Sequence, residues 1–456
     1  MKTIRTIKTF TLLGMLSLAS AQHDIPIKLT GEIIHPNSDS IVIKNSWGEQ
    51  FHVIKLDEIG QFSSTFEIGE GYYSFYDKKE QAPIYLGEDY VLNVTLKTDS
   101  FDESIRYSGY GADANNYLAA KALMREKWGL KNYYAYYCKL EEADFLHLTD
   151  SLYHASIKLL ERQSIRDDKF IKLERQSIEN ERIRKLDMYP ETYKYFTKKS
   201  PVLSDAFPNP YQNFPLNDPS LIASPGFLMA VIDLASFDRD SLEYANAGDY
   251  TLYVLQKLNQ KVKNNKVRVE AMHYFCKSRL TGSKKMDECF RVYEAIETDS
   301  NRLNLIKKKY LARKKTQKGA ASPPFSYENI DGKIVTNEDL KGKLLYIDLW
   351  ATWCGPCLRE IPYFDTLQEK FQDRDITFLS ICQNDTKERW RNMVEKKNLR
   401  GLHLYAEGDG GQFYSDYQVN GIPRYILLNA EGMIIDSDAK RPSNDKLVEE
   451  LEKLLE

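Results

Sequence analysis

The feature that most constrains this chain is a pair of cysteines, Cys354 and Cys357, between an apolar segment and an amphipathic one. The segment 344–350 is apolar except for Asp348, which is the pattern of a buried strand. Apolar residues then recur at helical spacing over 358–371. The pair is therefore predicted to lie where a strand leads into the N-terminus of a helix.

This position favours thiol chemistry, because the thiolate is the reactive form of cysteine. The unpaired amides and the positive dipole end of a helix stabilise an anion there. Lowering a cysteine pKa from about 8.5 to about 7 raises the thiolate fraction at neutral pH from ~3% to ~50%. Cys354 is nearer the helix start, so it is the predicted nucleophile. Cys357 lies one turn further, and we expect it to be more buried and to resolve the mixed disulfide.

Other functions of this pair are less consistent with its surroundings. Zinc would need two more ligands, and the sequence has no second cysteine pair at ligand spacing. A purely structural disulfide does not explain the neighbouring Trp353 and the Gly355–Pro356 dipeptide. We therefore predict no metal, and thiol exchange requires no dissolved cofactor.

The motifs around the pair resemble a known family. The segment 348–357, Asp-Leu-Trp-Ala-Thr-Trp-Cys-Gly-Pro-Cys, closely resembles the active-site strand and loop of thioredoxins. The segments 339–343 and 358–362 are similar to the exported TlpA/ResA branch, and 421–423 matches the family's cis-proline loop. The resemblance covers 323–456 and implies a central sheet flanked by helices.

The resemblance also implies roles for individual residues. Pro423 in cis would let Ile422 pair with an extended substrate strand opposite the cysteines. Asp348 matches the family's buried carboxylate, whose raised pKa would let it accept the Cys357 proton; the alternative is a plain acid at a strand edge. The substrate-binding residues implied are Trp353, Gly355, Pro356, Ile422 and Pro423.

Two positions depart from the thioredoxin pattern. Arg424 follows the predicted cis-proline, where thioredoxins often have threonine. Cys382 ends the predicted strand 376–381, where thioredoxins carry other residues. Substrate choice and the tuning of the thiol pKa values are therefore left open.

The dipeptide between the cysteines bears on the direction of electron flow. Gly355–Pro356 resembles the reducing thioredoxin motif, with a potential near −270 mV, whereas strong oxidants and isomerases of this fold usually carry histidine there. We predict an exported reductase of protein disulfides, and the resemblance implies a membrane-bound thiol electron donor and a role in apocytochrome thiol reduction or disulfide repair. The alternatives are an oxidase or isomerase on the same fold, and a partner-binding scaffold whose cysteine pair senses redox state.

The first residues are predicted to be a signal peptide. Lys2, Arg5 and Lys8 form a basic start, 10–18 is apolar, and 19–21 supplies small residues. The apolar run is far shorter than the ~20 residues of a membrane span. We expect cleavage after Ala21 and a periplasmic or otherwise exported location. Cleavage would change the formal net charge from −3 to −6, and such a chain has no electrostatic reason to bind nucleic acid.

Residues 22–110 are predicted to form an antiparallel β-sandwich. Short runs rich in β-branched residues alternate with turn residues. The region loosely resembles the β-domain that precedes many exported thioredoxin-like domains. The predicted strands cover Ile25–Leu29, Ser40–Ile43, Phe51–Ile54 and Tyr90–Val94.

Residues 111–312 are predicted to be all-α, with a break at Pro201–Pro225, and are a candidate element for a homo-oligomer. Residues 313–322 are predicted to be a linker to the α/β thioredoxin-like domain, 323–456.

Four cysteines remain, Cys138, Cys276, Cys289 and Cys382, and their three possible pairings are left open, with Cys276–Cys289 as one candidate. Cys382 is more consistent with a small buried hydrophobic residue.

Overall fold

The computed structural model describes residues 25–45, 50–128, 136–237, 241–408, 411–419 and 421–456. The predicted signal peptide, 1–21, lies outside the described residues. The chain divides into two compact units, one of Met1–Arg279 with Ser283–Ile296 and one of Leu280–Gly282 with Glu297–Glu456. The predicted domain boundaries at 110, 312 and 322 stay predictions.

The first unit begins with two four-stranded sheets, of strand order β4-β1-β7-β8 and β3-β2-β5-β6. The predicted N-terminal β-region is thus confirmed, but β1 and β7 pair in parallel. The chain crosses between the sheets more than once: β4 returns to the first sheet antiparallel to β1, and β7 returns to it parallel to β1 after β5 and β6 are built in the second. The strands are β1 (Ile25–Ile34), β2 (Ser40–Lys44), β3 (Gln50–Lys55), β4 (Gln61–Ile68), β5 (Gly71–Tyr76), β6 (Gln81–Leu86), β7 (Val91–Lys97) and β8 (Arg106–Tyr110).

A helical region follows in the same unit, as predicted. No helix continues through the proline-rich stretch between Thr197 and Phe227, apart from a short 3-10 turn, in these described residues. Buried Glu174 ties the helices to the second sheet, because it accepts hydrogen bonds from the hydroxyls of Tyr72 and Tyr117, both at 3.0 Å. The helices are α1 (Phe101–Ser104), α2 (Ala112–Lys127), α3 (Glu142–Arg162), α4 (Asp168–Thr197), α5 (Phe227–Phe237), α6 (Ser241–Ala247), α7 (Tyr250–Lys261), α8 (Asn265–Arg279) and α9 (Met286–Glu294).

The four remaining cysteines are buried free thiols. The candidate disulfide between Cys276 and Cys289 is therefore not formed. The Cys289 sulfur lies 3.3 Å from the Ser283 hydroxyl oxygen. Burial raises the pKa of Cys289 to about 11, so its reactive thiolate is scarce at neutral pH.

The second unit contains a seven-stranded sheet of order β10-β9-β13-β12-β11-β14-β15. Strands β11, β12 and β13 are parallel, and β14 is antiparallel to β11. The strands are β9 (Ser326–Asn329), β10 (Ile334–Thr336), β11 (Leu344–Trp350), β12 (Ile376–Cys382), β13 (Leu402–Tyr405), β14 (Arg424–Leu428) and β15 (Ile434–Asp436). The helices are α10 (Ser300–Lys315), α11 (Gly355–Lys370), α12 (Lys387–Lys396), α13 (Gly411–Asp416) and α14 (Asp445–Leu454).

Strand β11 lies at the centre of this sheet and is buried along its whole length. Leu345, Ile347 and Leu349 enter the core on one face. Leu344 and Tyr346 enter the core on the other face, beneath α11 and α14. This two-sided burial explains the continuous apolar run in the sequence, and it fixes the strand end that carries the cysteine pair. The predicted α/β thioredoxin fold is confirmed.

The segment before the sheet is joined to it by main-chain hydrogen bonds. Gly319 donates to the Ile434 carbonyl at 2.7 Å, and Ser322 donates to the Gly432 carbonyl at 3.0 Å. Ala321 forms an antiparallel bridge with Met433. Residues 319–322 of the predicted linker therefore pair with residues 432–434 at the start of the edge strand β15, and residues 313–315 of that linker are the end of α10. Among the described residues, the helices are all too short or too polar to cross a bilayer.

Candidate functional site

The cysteine pair lies where the sequence predicts, between β11 and α11. Cys354 is the N-cap of α11, and its sulfur accepts a hydrogen bond from the Cys357 amide at 3.2 Å. The two residues form a disulfide, with their Cα atoms 5.2 Å apart. Cys354 is 4% exposed and Cys357 is 3% exposed. The expected difference in burial is thus small in this oxidised state, and the helix N-terminus distinguishes the two residues better than exposure does.

The loop before the pair is fixed by Asp385, which follows β12. Its Oδ2 accepts hydrogen bonds from the Thr352 amide at 2.8 Å and from the Thr352 hydroxyl at 2.5 Å. The Trp353 indole donates to the Asn384 carbonyl at 2.8 Å. Trp353 is still 56% exposed, so it presents an apolar surface beside the disulfide. Asp385 could not be predicted from the sequence, because nothing local connects it with Thr352.

The Ile422–Pro423 loop faces the pair from β14. The peptide bond between these residues is cis, as the resemblance implies. The Ile422 carbonyl oxygen lies 3.7 Å from the Cys354 sulfur. The Ile422 side chain packs against the cluster that contains both cysteines and Trp350. Main-chain groups and an apolar side chain therefore meet at the reactive sulfur.

Asp348 is a buried acid in β11, 8% exposed, two residues before the end of the strand. Burial raises its pKa to about 8; the Tyr425 hydroxyl on the neighbouring strand lowers that pKa and the Glu360 charge raises it further. Its Oδ1 atom has no hydrogen-bond partner in the described structure. A carboxyl group with this pKa can hold or accept a proton near neutral pH.

Glu360 is a second buried acid that the sequence analysis did not identify. It lies on α11, 8% exposed. Its carboxylate accepts hydrogen bonds from the Ser443 amide at 3.0 Å and from the Ser443 hydroxyl at 2.9 Å. Helical spacing in the sequence could have indicated its burial, because Glu360 lies on the same face of α11 as the buried residues Cys357, Phe364 and Leu367.

Cys382 ends β12 directly beside Trp350. It is fully buried, and burial raises the pKa of its thiol, with the Asp385 carboxylate adding to the effect. This environment suits a small apolar residue better than a third redox centre. No cluster of three or more metal-ligating side chains occurs in the described ranges.

The contacts of Thr352 lead to a stability prediction. We expect Thr352→Val to lower the free energy of unfolding by about 1.5 kcal/mol, because the Asp385 carboxylate loses a charge-assisted hydrogen bond in a partly buried site. Thermal and urea unfolding of the oxidised protein measure this change. Thr366→Val is the matched control, because its hydroxyl bonds only the Pro362 carbonyl on an exposed helix surface. Equal losses in the two variants would contradict the role given to Asp385.

The C-terminal part of the chain is similar in sequence to known proteins. The Redoxin family model matches residues 317–455. The thiol-disulfide oxidoreductase ResA of Bacillus cereus is 26% identical over 142 residues, which cover 31% of this chain and 81% of that protein. ResA of Bacillus subtilis is 25% identical over 126 residues, covering 28% of this chain and 69% of that protein.

Among solved structures, a Bacteroides vulgatus protein provisionally named a thiol-disulfide oxidoreductase is 47% identical. It covers 29% of this chain and 86% of its own, with a TM-score of 0.28. The thioredoxin domain of another Bacteroides vulgatus thiol-disulfide oxidoreductase is 24% identical, covering 31% of this chain and 99% of its own, also with a TM-score of 0.28.

Proposed function

Because residues 317–455 belong to the Redoxin family and form a thioredoxin-like thiol–disulfide oxidoreductase domain, we propose that this protein reduces disulfides in exported proteins. One observation carries the proposal. The Cys354–Cys357 disulfide caps the N-terminus of α11, and the Cys354 sulfur lies 3.7 Å from the Ile422 carbonyl oxygen. A substrate strand that pairs with Ile422 would bring its own disulfide to that sulfur.

The reaction is a dithiol–disulfide exchange. The Cys354 thiolate bonds to one sulfur of the substrate disulfide, and the other sulfur leaves with the electron pair and takes up a proton. Cys357 then passes its proton to Asp348 and attacks the Cys354 sulfur. This step breaks the mixed disulfide, and the second substrate sulfur leaves with the electron pair and takes up a proton. The substrate gains two electrons and two protons, and the enzyme pair becomes the disulfide.

The enzyme must then regain two electrons. We propose that a membrane-bound dithiol protein supplies them by the same exchange in reverse. The pattern of residues 2–21 supports an exported, periplasmic location. In that compartment, the substrates would be non-native protein disulfides or the disulfides formed between the paired cysteines of apocytochromes. No metal or dissolved cofactor takes part in these steps.

The reduction potential of the pair tests the direction of the reaction. We expect a value near −270 mV after equilibration with dithiothreitol or glutathione, because the Gly355–Pro356 dipeptide is that of reducing thioredoxins. The reduced protein should also precipitate insulin by cleaving its interchain disulfides. A potential between −120 and −180 mV would instead make the protein an oxidase or isomerase. Cys357→Ser is the control, because it cannot form the disulfide that sets this potential.

A further inference from the structure

Helix α10, which precedes the thioredoxin-like sheet, contacts the N-terminal flank of the Ile422–Pro423 loop directly and reaches the C-terminal flank through Ser437. On the N-terminal flank, the Gln418 side-chain amide donates to the Lys309 carbonyl at 2.6 Å. The Arg313 guanidinium donates to the hydroxyl of Ser437, which follows β15, at 2.7 Å. Lys309 and Arg313 are four residues apart, so they lie on one face of α10.

The second contact continues to the residue that follows the cis-proline. Ser437 is buried, and its carbonyl accepts a hydrogen bond from Arg424 Nε at 2.8 Å. Arg424 Nε also lies 3.2 Å from the Asp438 carboxylate. Arg313, Ser437 and Arg424 therefore form one chain of contacts from α10 to the loop. This chain gives Arg424 a role at a position where thioredoxins often have threonine.

Arg313 is itself held in place by the fold. Its Nε donates to the Thr281 carbonyl at 3.1 Å, and the side chain bridges to Ser437. Burial and the nearby Arg424 lower the pKa of Arg313. The positive charges of Arg313 and Arg424 repel each other, and the negative charges of the Asp436 and Asp438 carboxylates offset that repulsion. Because the two arginines are partly buried, their arrangement depends on every hydrogen bond and carboxylate that compensates their charge. Loss of one partner is therefore expected to disturb the arrangement.

We propose that α10 is a positioning element for the substrate-binding loop, acting through Gln418 on one flank and Arg313 on the other. The inference rests on the proposed function, because it takes Ile422 as the residue that pairs with the substrate strand. A loop held at both flanks keeps the Ile422 carbonyl in register with an extended polypeptide. A small disulfide that needs only the Cys354 sulfur makes no use of that register.

The test compares a protein disulfide with a small one in the full-length enzyme. Gln418→Met and Arg313→Met remove the hydrogen bonds; methionine matches glutamine in length and keeps most of the aliphatic stem of arginine. Lys308→Met makes a matched change at an exposed position of the same helix. We expect each of the first two variants to raise KM for insulin about fivefold, the effect of one lost hydrogen bond at a positioned site. The kcat of both variants with insulin should stay within about twofold of wild type. Their rate of reduction of a small aromatic disulfide, dithio-bis-nitrobenzoate, should also stay within about twofold of wild type.

The outcomes separate the two hypotheses. If wild type and Lys308→Met reduce insulin but Gln418→Met and Arg313→Met leave its KM unchanged, the positioning role is wrong and the proposed function stands. If the variants lost activity equally toward insulin and toward the small disulfide, α10 would have a general structural role, and the inference would also be overturned. If wild type does not reduce insulin, the proposed function itself fails. Gln418 is a partly exposed loop residue, so the test remains available if Arg313→Met does not fold.

Discussion

Cys354→Ser is expected to abolish disulfide reduction, lowering kcat/KM for insulin by at least about a thousandfold. The serine hydroxyl fits the N-cap position and can still accept a hydrogen bond from the Cys357 amide. It does not ionise near neutral pH, however, and it cannot form a disulfide. The helix N-terminus that stabilises a thiolate therefore has no nucleophile to act on. The rate of insulin precipitation with excess dithiothreitol measures the loss.

Two further serine substitutions distinguish the expected effect of losing the nucleophile Cys354 from the effect of losing another cysteine. Cys357→Ser should also stop turnover, but it should accumulate a mixed disulfide between Cys354 and the substrate, visible by mass spectrometry under non-reducing conditions. Cys382→Ser makes the same change in a buried thiol outside the pair and should keep most of the activity. A mixed disulfide that forms in Cys354→Ser and not in Cys357→Ser would reverse the assigned roles.

The position of the cysteine pair between a strand and a helix could be predicted from the sequence because these parts are local. The strand 344–350, the cysteine pair and the following helix are continuous in the chain, and their apolar periodicity is visible without a fold. Asp348 stands out as the single acid in a buried run, and the structure raises its pKa by that burial. The Ile422–Pro423 loop is distant in sequence, and only the family resemblance connects it with the pair.

The supporting contacts could not be predicted, since they join segments that only the folded chain brings together. Asp385 lies 33 residues from Thr352, and Ser443 lies 83 residues from Glu360. Propensity and periodicity carry no information about such pairs. Likewise, the helical pattern that ends at residue 312 does not tell which unit its last helix packs with; α10 belongs to the second unit and continues to Lys315, into the predicted linker.

The N-terminal region shows a different limit. The predicted strands with β-branched residues are present, whereas β5, with the sequence GYYSFY, has none of those residues. Its strand character comes from tyrosine and phenylalanine side chains packed in the core of the unit. The parallel pairing of β1 with β7 depends on the order of strands in two sheets, which local patterns do not encode.

Asp348→Asn is expected to slow resolution of the mixed disulfide by at least about tenfold at neutral pH, since the amide cannot accept the Cys357 proton. With a pKa of about 8, the wild-type carboxyl group is ionised in only a minority of molecules at neutral pH. The wild-type resolution rate should therefore rise with pH up to about 8, and this rise should be absent from the variant. Single-turnover quenched-flow measurements of the mixed disulfide give both rates.

The same substitution should stabilise the oxidised protein. The folded-state pKa of Asp348 is raised, so the native state binds its proton more tightly than the unfolded chain does, and stability is lost as pH rises from about 4 to about 8. An asparagine has no such dependence, so the variant should be more stable by about 4 kcal/mol at neutral pH and should lose this advantage near pH 4. Asp373→Asn is the matched control, because Asp373 is exposed in the same unit. If the Asp348 variant kept the pH-dependent step in resolution, or matched wild-type stability at neutral pH, another group would have to be the proton acceptor.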